Sequence, residues 1–295
     1  MIIGFAGKKQ SGKNTSANLI VGTILHSIGF ATQVDGKTGE LKILNDNGDL
    51  ATLDLLSKNK KLIEWMEQEI FPFVKIYSFA DSLKDICMSL FDLTYEQCYG
   101  TDEQKNSLTN LKWENMPGII IPRMAYNTFA NYKNKDNVDL LTKNIENFDE
   151  KTWFGKPFSF NNIPIMNNII HEPGFMTARE VLQYFGTNII RKIYSDAWVK
   201  STIKKIIDDN SMMAIVVDVR FPNEVRAIQQ NNGYVIRLTR SIEKDSHESE
   251  NLLDNYKKFD YVIDNMNMSI QEQSVELSKI MEDIKNKNKN KINDK

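Results

Sequence analysis

The chain predicts an α/β fold in which a parallel sheet of about five strands lies between two layers of helices. Three observations lead there. Short apolar, β-branched runs recur at 2–6, 74–79, 213–219, 234–239 and 261–264. Segments of helical period follow most of them, and strands alternating with helices favour parallel pairing covered on both faces. The 295 residues, 41% hydrophobic and 26% charged, have a globular composition, and a chain of this length buries roughly 75% of its unfolded surface without staples.

The elements follow in order. IIGFA at the start is a buried strand, and from Asn14 the positions Ala17, Leu19, Ile20, Ile24, Leu25 and Ile28 keep helical spacing until Gly29. After the second strand, Leu83, Ile86, Cys87, Leu90 and Phe91 mark one helical face. Thr177 with Glu180 forms a capping box opening a helical region to about Ile207, with Gly186 placed to bend or interrupt it. The run from Met213 to Val219 is a fully buried strand, followed by a short helix carrying Val225 and Ile228 and stopped at Gly233. Ser269 with Glu272 caps a last amphipathic helix carrying Val275, Leu277, Ile280, Met281 and Ile284.

Two stretches break this rhythm and read as insertions into one domain spanning 1–295. Residues 33–72 hold a Gly-containing polar segment that predicts a hairpin, then an amphipathic helix near 62–70. Residues 112–171 are Asn-rich and show no sustained period. The Lys/Asn tail, 285–295, reads as frayed helix passing into a flexible end.

Charge excludes some functions. With 37 Lys plus Arg against 39 Asp plus Glu, the net charge is -2. A general nucleic-acid binder needs many phosphate-directed cations, so nucleic acid is not an expected partner and phosphate chemistry must use locally placed ones. Cys87 and Cys98 have neither CxxC spacing nor a nearby His pair, so no disulfide framework or zinc site is expected and the compartment reads as cytoplasmic. The opening apolar stretch is too short for a signal-peptide core, and no segment approaches the ~20 apolar residues of a membrane span.

Between the first strand and first helix, Gly7-Lys8-Lys9-Gln10-Ser11-Gly12-Lys13 has the GxxxxGK spacing of a phosphate-binding loop. Glycines let backbone N–H groups and the helix N-terminus converge on phosphate oxygens, and Lys13 can reach the β- and γ-phosphates. Asn14 stands where Ser or Thr would bind Mg²⁺ directly, with Thr15 next, so Asn14 is expected to hold the metal through water. The third strand ends Asp218-Val219-Arg220-Phe221, with no DxxG element, and no NKxD motif occurs, which argues against a GTPase. Arg179, Gln183, Thr187 and Arg191 fall at successive i+4 positions. That stripe is either a wet helix face or a site offering cations to a monophosphate and an amide to a base edge.

Six segments in register resemble the phage deoxynucleoside monophosphate kinases, a branch of the P-loop nucleoside monophosphate kinase superfamily. They are GKKQSGKNT at Gly7 to Thr15, FADSLK at Phe79 to Lys84, AREVLQYFGT at Ala178 to Thr187 followed by Arg191 and Asp196 to Trp198, DVRFPNE at Asp218 to Glu224, VIRLTR at Val235 to Arg240, and HESE at His247 to Glu250. Asn14 stands where such proteins often carry Asp. The resemblance implies a P-loop NTPase-type three-layer sandwich. It also implies transfer of the ATP γ-phosphoryl group to a deoxynucleoside monophosphate in phage DNA precursor synthesis, with Mg²⁺ and in the host cytoplasm. A phosphate acceptor is already ionised near neutral pH, its second pKa being about 6, so no general base is needed. His26, His171 and His247 need no catalytic role.

The resemblance places Gly7, Lys9, Ser11, Gly12, Lys13, Asn14 and Thr15 on ATP, with Arg240 from a lid over 241–258. Lys13, Arg179, Arg191, Asp218 and Arg220 form the catalytic set. Asp81, Lys84, Gln183, Gly186, Thr187, Trp198 and Glu224 join Arg179, Arg191, Asp218 and Arg220 around the acceptor. Trp198 is equally readable as core, and Arg220 with Glu224 as a structural pair. Asn14 and Asp218 are the metal candidates, through water. A homodimer is compatible with this reading. Two other classes remain open: a P-loop kinase of another small phosphate acceptor, which a substrate screen separates, and a non-enzymatic ATP-binding module, which would bind ATP without phosphorylating nucleotides.

Overall fold

The structure is a computed structural model that describes residues 1–45, 47–57, 59–121, 159–160, 163–164, 169–240 and 252–293. The chain forms two compact units, one of Met1–Leu83 with Ser195–Lys295 and the other of Lys84–Tyr194.

The first unit is built on the expected parallel sheet. Its strands are β1 (Ile2–Ala6), β2 (Val74–Tyr77), β3 (Met213–Val219), β4 (Tyr234–Leu238) and β5 (Tyr261–Ile263), in the order β2-β3-β1-β4-β5. Every neighbouring pair is parallel. The chain leaves β1 to one side, returns through β3, then crosses to β4 on the other side. In open sheets of this kind ligands bind beyond the strands' carboxyl ends, near such a reversal.

Side-chain alternation divides the sheet between two cores. Ile3 and Phe5 of β1, Ile215 and Val217 of β3, and Ile236 and Leu238 of β4 share one core with Ala17, Ile20 and Leu25 of the helix Lys13–Ser27 and Leu277, Ile280 and Ile284 of the helix Ile270–Asn293. Ile2, Ala6, Ala214, Val216 and Val235 point the other way, against Val199, Ile203 and Ile206 of the helix Ala197–Asp209 and Val225 and Ile228 of the helix Pro222–Gln230. Each buried Ile or Leu contributes roughly 1.5–3 kcal/mol, so truncating Ile3 or Ile236 to Ala would cost about 2–5 kcal/mol once the cavity is included.

The expected insertion at 33–72 contributes to the first of these cores. Thr32–Val34, Leu41–Leu44 and Leu50–Thr52 form a three-stranded antiparallel meander, one strand more than the predicted hairpin. The helix Lys60–Glu69 follows, its N-terminus capped by Asn59, whose side chain accepts from the Leu62 N–H. Leu41, Leu53, Met66 and Ile70 are buried with the sheet residues.

Two apolar stripes differ from expectation. Val275 is 57% exposed, whereas Gln273 on the same helix is 2% exposed. Leu90, expected on the inner face of the helix Asp81–Phe91, is 69% exposed. The last helix continues through the Lys/Asn stretch to Asn293. Ile284 is fully buried there, Tyr234 donates to the Asn288 side chain at 2.8 Å, and Lys287 pairs with Asp283 one turn back.

In the second unit, Leu108–Lys112 pairs antiparallel with Phe175–Thr177. The short helices Tyr95–Tyr99 and Asp102–Lys105 carry capping boxes from Thr94 with Gln97 and Thr101 with Gln104. The Trp113 ring stacks on His171 with centroids 3.9 Å apart and meets Tyr184 edge-on at 5.4 Å. Among the described residues, no helix is long and apolar enough to cross a membrane.

Candidate active site

The loop after β1 has the geometry its spacing predicts. Gln10 and Gly12 both take left-handed backbone angles, φ 59° and 93°, which turn the chain tightly into the helix Lys13–Ser27. A Cβ at Gly7 would collide with the Ser11 hydroxyl, so this close passage requires glycine. The helix begins without a side-chain cap or an acidic residue in its first turn, leaving its positive end and N–H groups for an anion. Lys13 Nζ donates to the carbonyls of Gly7 and Lys8 at 2.7 and 2.6 Å, bridging the loop. Ser11 Oγ is fully buried and has no hydrogen-bond partner among the described residues. An orphaned hydroxyl inside a glycine cradle at a helix N-terminus fits a phosphate group.

Asn14 is exposed and lines a cavity of about 320 Å³ with Asn18, Glu40, Thr52 and Asp54. These are oxygen donors, which suit a hard cation that keeps its waters. Among the described residues no group of three or more His, Cys, Asp or Glu forms a metal cage. Asn18 Nδ2 also donates to the Gly39 carbonyl, fastening the meander to the first turns of this helix beside Thr15.

Asp218 sits at the carboxyl end of β3 and grips the turn after β2. Its Oδ2 accepts from Ser78 Oγ at 2.6 Å and from the Ala80 N–H at 3.1 Å, and its Oδ1 accepts from the Phe79 N–H at 2.7 Å. Asp81 accepts from the Ser78 N–H. Glu224, 1% exposed, accepts through Oε2 from the N–H groups of Arg220 and Phe221 at 2.7 and 3.0 Å, which fixes the rim where Arg220 stands. Trp198 is buried, 5% exposed, in the helix Ala197–Asp209.

Arg240 is drawn inward. Its N–H donates to Asn265 Oδ1, its Nε to the Asn265 carbonyl, and its Nη2 to the Met268 carbonyl. Of the expected lid, residues 241–251 lie outside the described residues, His247 among them. The remainder is anchored: Leu253 is 2% exposed, and Asp254 pairs with Lys8 at 2.9 Å and with Arg237 at 3.2 Å.

In the second unit Thr177 and Glu180 form the expected capping box for the helix Ala178–Gln183. Arg179 lies on it and pairs through Nη2 with Asp102 Oδ1. Seven residues of π-helix follow, Tyr184–Ile190, and then the short turn Arg191–Ile193. Gly186 is buried inside the π segment. In an α-helix three i+4 steps would carry a stripe about 120° around the axis, but a π turn holds about one residue more, so Arg179, Gln183, Thr187 and Arg191 drift by only about 30°. All four are half-buried. Lys84 Nζ lies 4.0 Å over the Tyr99 ring, which in turn stacks on Tyr95.

A parallel sheet with a glycine loop at the end of its central strand is the architecture of nucleotide-handling α/β proteins. The sequence model of the family Deoxynucleotide monophosphate kinase matches residues 70–276, and the chain belongs to that family. A protein of Acanthamoeba polyphaga mimivirus that carries the provisional name deoxynucleotide monophosphate kinase is 27% identical over 210 residues, which are 66% of this chain and 76% of that protein. The family match begins after the phosphate loop and takes in the turn at 78–81, the π segment and the Asp218 to Glu224 rim.

Proposed function

We propose that the protein transfers the γ-phosphoryl group of ATP to a deoxynucleoside monophosphate, giving the diphosphate and ADP, and so supplies precursors for phage DNA synthesis in the host cytoplasm. The observation that carries this reading is the phosphate loop: left-handed turns at Gln10 and Gly12, an uncapped helix N-terminus, and Lys13 spanning the cradle.

An oxygen of the acceptor phosphate forms the new P–O bond as the bond from the γ-phosphorus to its bridging oxygen breaks, the electron pair leaving with ADP. The protein's task is positioning and charge neutralisation. Loop N–H groups, Ser11 and Lys13 bind the donor phosphates, with Gly7, Lys9, Gly12 and Thr15 shaping the cradle. Mg²⁺ would supply charge neutralisation on the donor phosphates, and Asn14 would hold it through water. Arg179 and Arg191 hold the acceptor phosphate, and Gln183 and Thr187 read the base or phosphate. Gly186 allows the π turn that keeps them in line. Lys84 adds charge near the acceptor, while Asp81, Asp218 and Glu224 set the turn and rim that carry Arg220. Arg240 supports the donor side, and Trp198 is the candidate for packing near the base.

A coupled assay of ADP release with each deoxynucleoside monophosphate in turn tests the reading. ADP release dependent on at least one of them is expected, and release independent of every acceptor would reject it.

A further inference from the structure

A buried polar cluster lies behind the phosphate loop, and none of its bonds belongs to ordinary secondary structure. Asn265, fully buried, donates through Nδ2 to the Ser11 carbonyl at 2.8 Å and to Gln273 Oε1 at 3.2 Å. Gln273 donates through Nε2 to Ser16 Oγ at 2.6 Å, and Ser16 Oγ donates to the Gly12 carbonyl at 3.0 Å. The Ser11 carbonyl is thus gripped directly from the far end of the chain, and the Gly12 carbonyl, which also accepts the Ser16 N–H at 2.9 Å, is reached from there through Ser16.

We infer that Asn265 and Gln273 are positioning residues that hold the phosphate loop in its anion-binding curve. This rests on the proposed reaction only for its kinetic consequence. The chemistry is specific. A carbonyl satisfied from behind keeps its peptide plane fixed, and the N–H on the other side of each plane then points into the cradle. Buried amides serve well because each offers a donor and an acceptor at once, so the chain of bonds closes without an unpaired group. It also accounts for the buried Gln273 at a position where helical period calls for an apolar side chain. Arg240, which donates its N–H to Asn265 Oδ1, fixes the remaining acceptor of that amide and so its orientation.

The test uses the full chain with Asn265→Asp, which keeps the acceptor for Arg240 and removes both donations, and Ser16→Ala, a small change that cuts the link from Gln273 to Gly12. Ile284→Val, in the core contact of the same helix, serves as the control for general loosening. Hydrogen exchange of the amides at 8–13, measured without nucleotide, should speed up at least fivefold in Asn265→Asp and Ser16→Ala and stay unchanged in Ile284→Val. Kinetically, KM for ATP should rise about tenfold in both while KM for the deoxynucleotide stays within twofold. Unchanged loop exchange in Asn265→Asp and Ser16→Ala would overturn the inference. So would an equal rise in ATP KM in Ile284→Val at matched melting temperature. A parent protein without turnover would reject the proposed reaction instead, and the exchange rates would still decide the role of Asn265 and Gln273.

Discussion

Asp102 Oδ1 lies 2.5 Å from Arg179 Nη2, so one edge of the guanidinium proposed to receive the acceptor phosphate is already fixed by a carboxylate. The pair is partly exposed, and its own contribution to stability is small. If Arg179 and Arg191 bind the monophosphate, replacing either with Ala should raise the deoxynucleotide KM about tenfold to a hundredfold, the equivalent of losing a charge-assisted contact of roughly 1.5–3 kcal/mol, with much less change for ATP. Lysine should rescue only partly, since an ammonium lacks the planar fork. Asp102→Asn should produce a smaller rise. Steady-state kinetics with each substrate varied in turn checks this, and unchanged KM values would reduce the stripe to a solvated face. Gln183→Ala should alter the ratio of activities among bases more than phosphate affinity.

Lys13→Ala should abolish phosphoryl transfer and lower stability by about 1–3 kcal/mol, because two loop carbonyls lose their ammonium donor. Urea unfolding and the ADP-release assay read the two effects separately. Parent-level turnover would remove the loop from the reaction.

Asn14→Asp should preserve or raise activity at limiting Mg²⁺, since a carboxylate strengthens water-mediated binding of a hard cation. A magnesium titration of turnover decides it. Loss of activity in a folded variant would mean that the amide itself makes a needed contact.

Glu224→Ala should cost about 2–4 kcal/mol, because the N–H groups of Arg220 and Phe221 would lose their buried acceptor. Glu224→Gln keeps one acceptor oxygen and should cost less. Chemical denaturation of the two variants measures the difference.

Burial pushes the Cys87 thiol up to about 12 and raises that of Cys98 as well. Thiolates are the reactive form, so both should resist alkylation of the native protein at pH 8 and react on unfolding. A raised folded pKa means the associated stability is present below the unfolded value near 8.5 and is lost as pH climbs from there toward 12. Unfolding midpoints should therefore fall across that window. Replacing both cysteines with Ala should flatten the fall.

The sheet and the phosphate loop were legible because both are local signals: β-branched runs of strand length, and glycines at fixed offsets before Lys13. Capping boxes at Thr177 and Ser269 were legible for the same reason. Asn265, Gln273 and Asp102 were not, since each acts on a partner distant in sequence and no spacing rule links them. The one available hint was negative, with polar Gln273 occupying a buried place while Val275 faces solvent. Glu40 and Asp54 stood inside a stretch that looked like an addition to the fold, and only the cavity beside Asn14 brings them near the loop. Arg237 shows the limit of strand alternation. Its side chain pairs with Asp254 at 3.2 Å, and alternation along β4 names no partner for it.

The π segment has a consequence for comparing related chains. A widened turn is equivalent to residues accommodated without breaking the helix, so a relative that lacks it would present the same two arginines at a shorter separation in sequence. Matching such chains by fixed offset from Arg179 would then place a neighbour of Arg191 where Arg191 belongs. An alignment that allows one gap between Tyr184 and Ile190 would restore the correspondence, and Gly186, with no side chain to accommodate, is the natural place to open it.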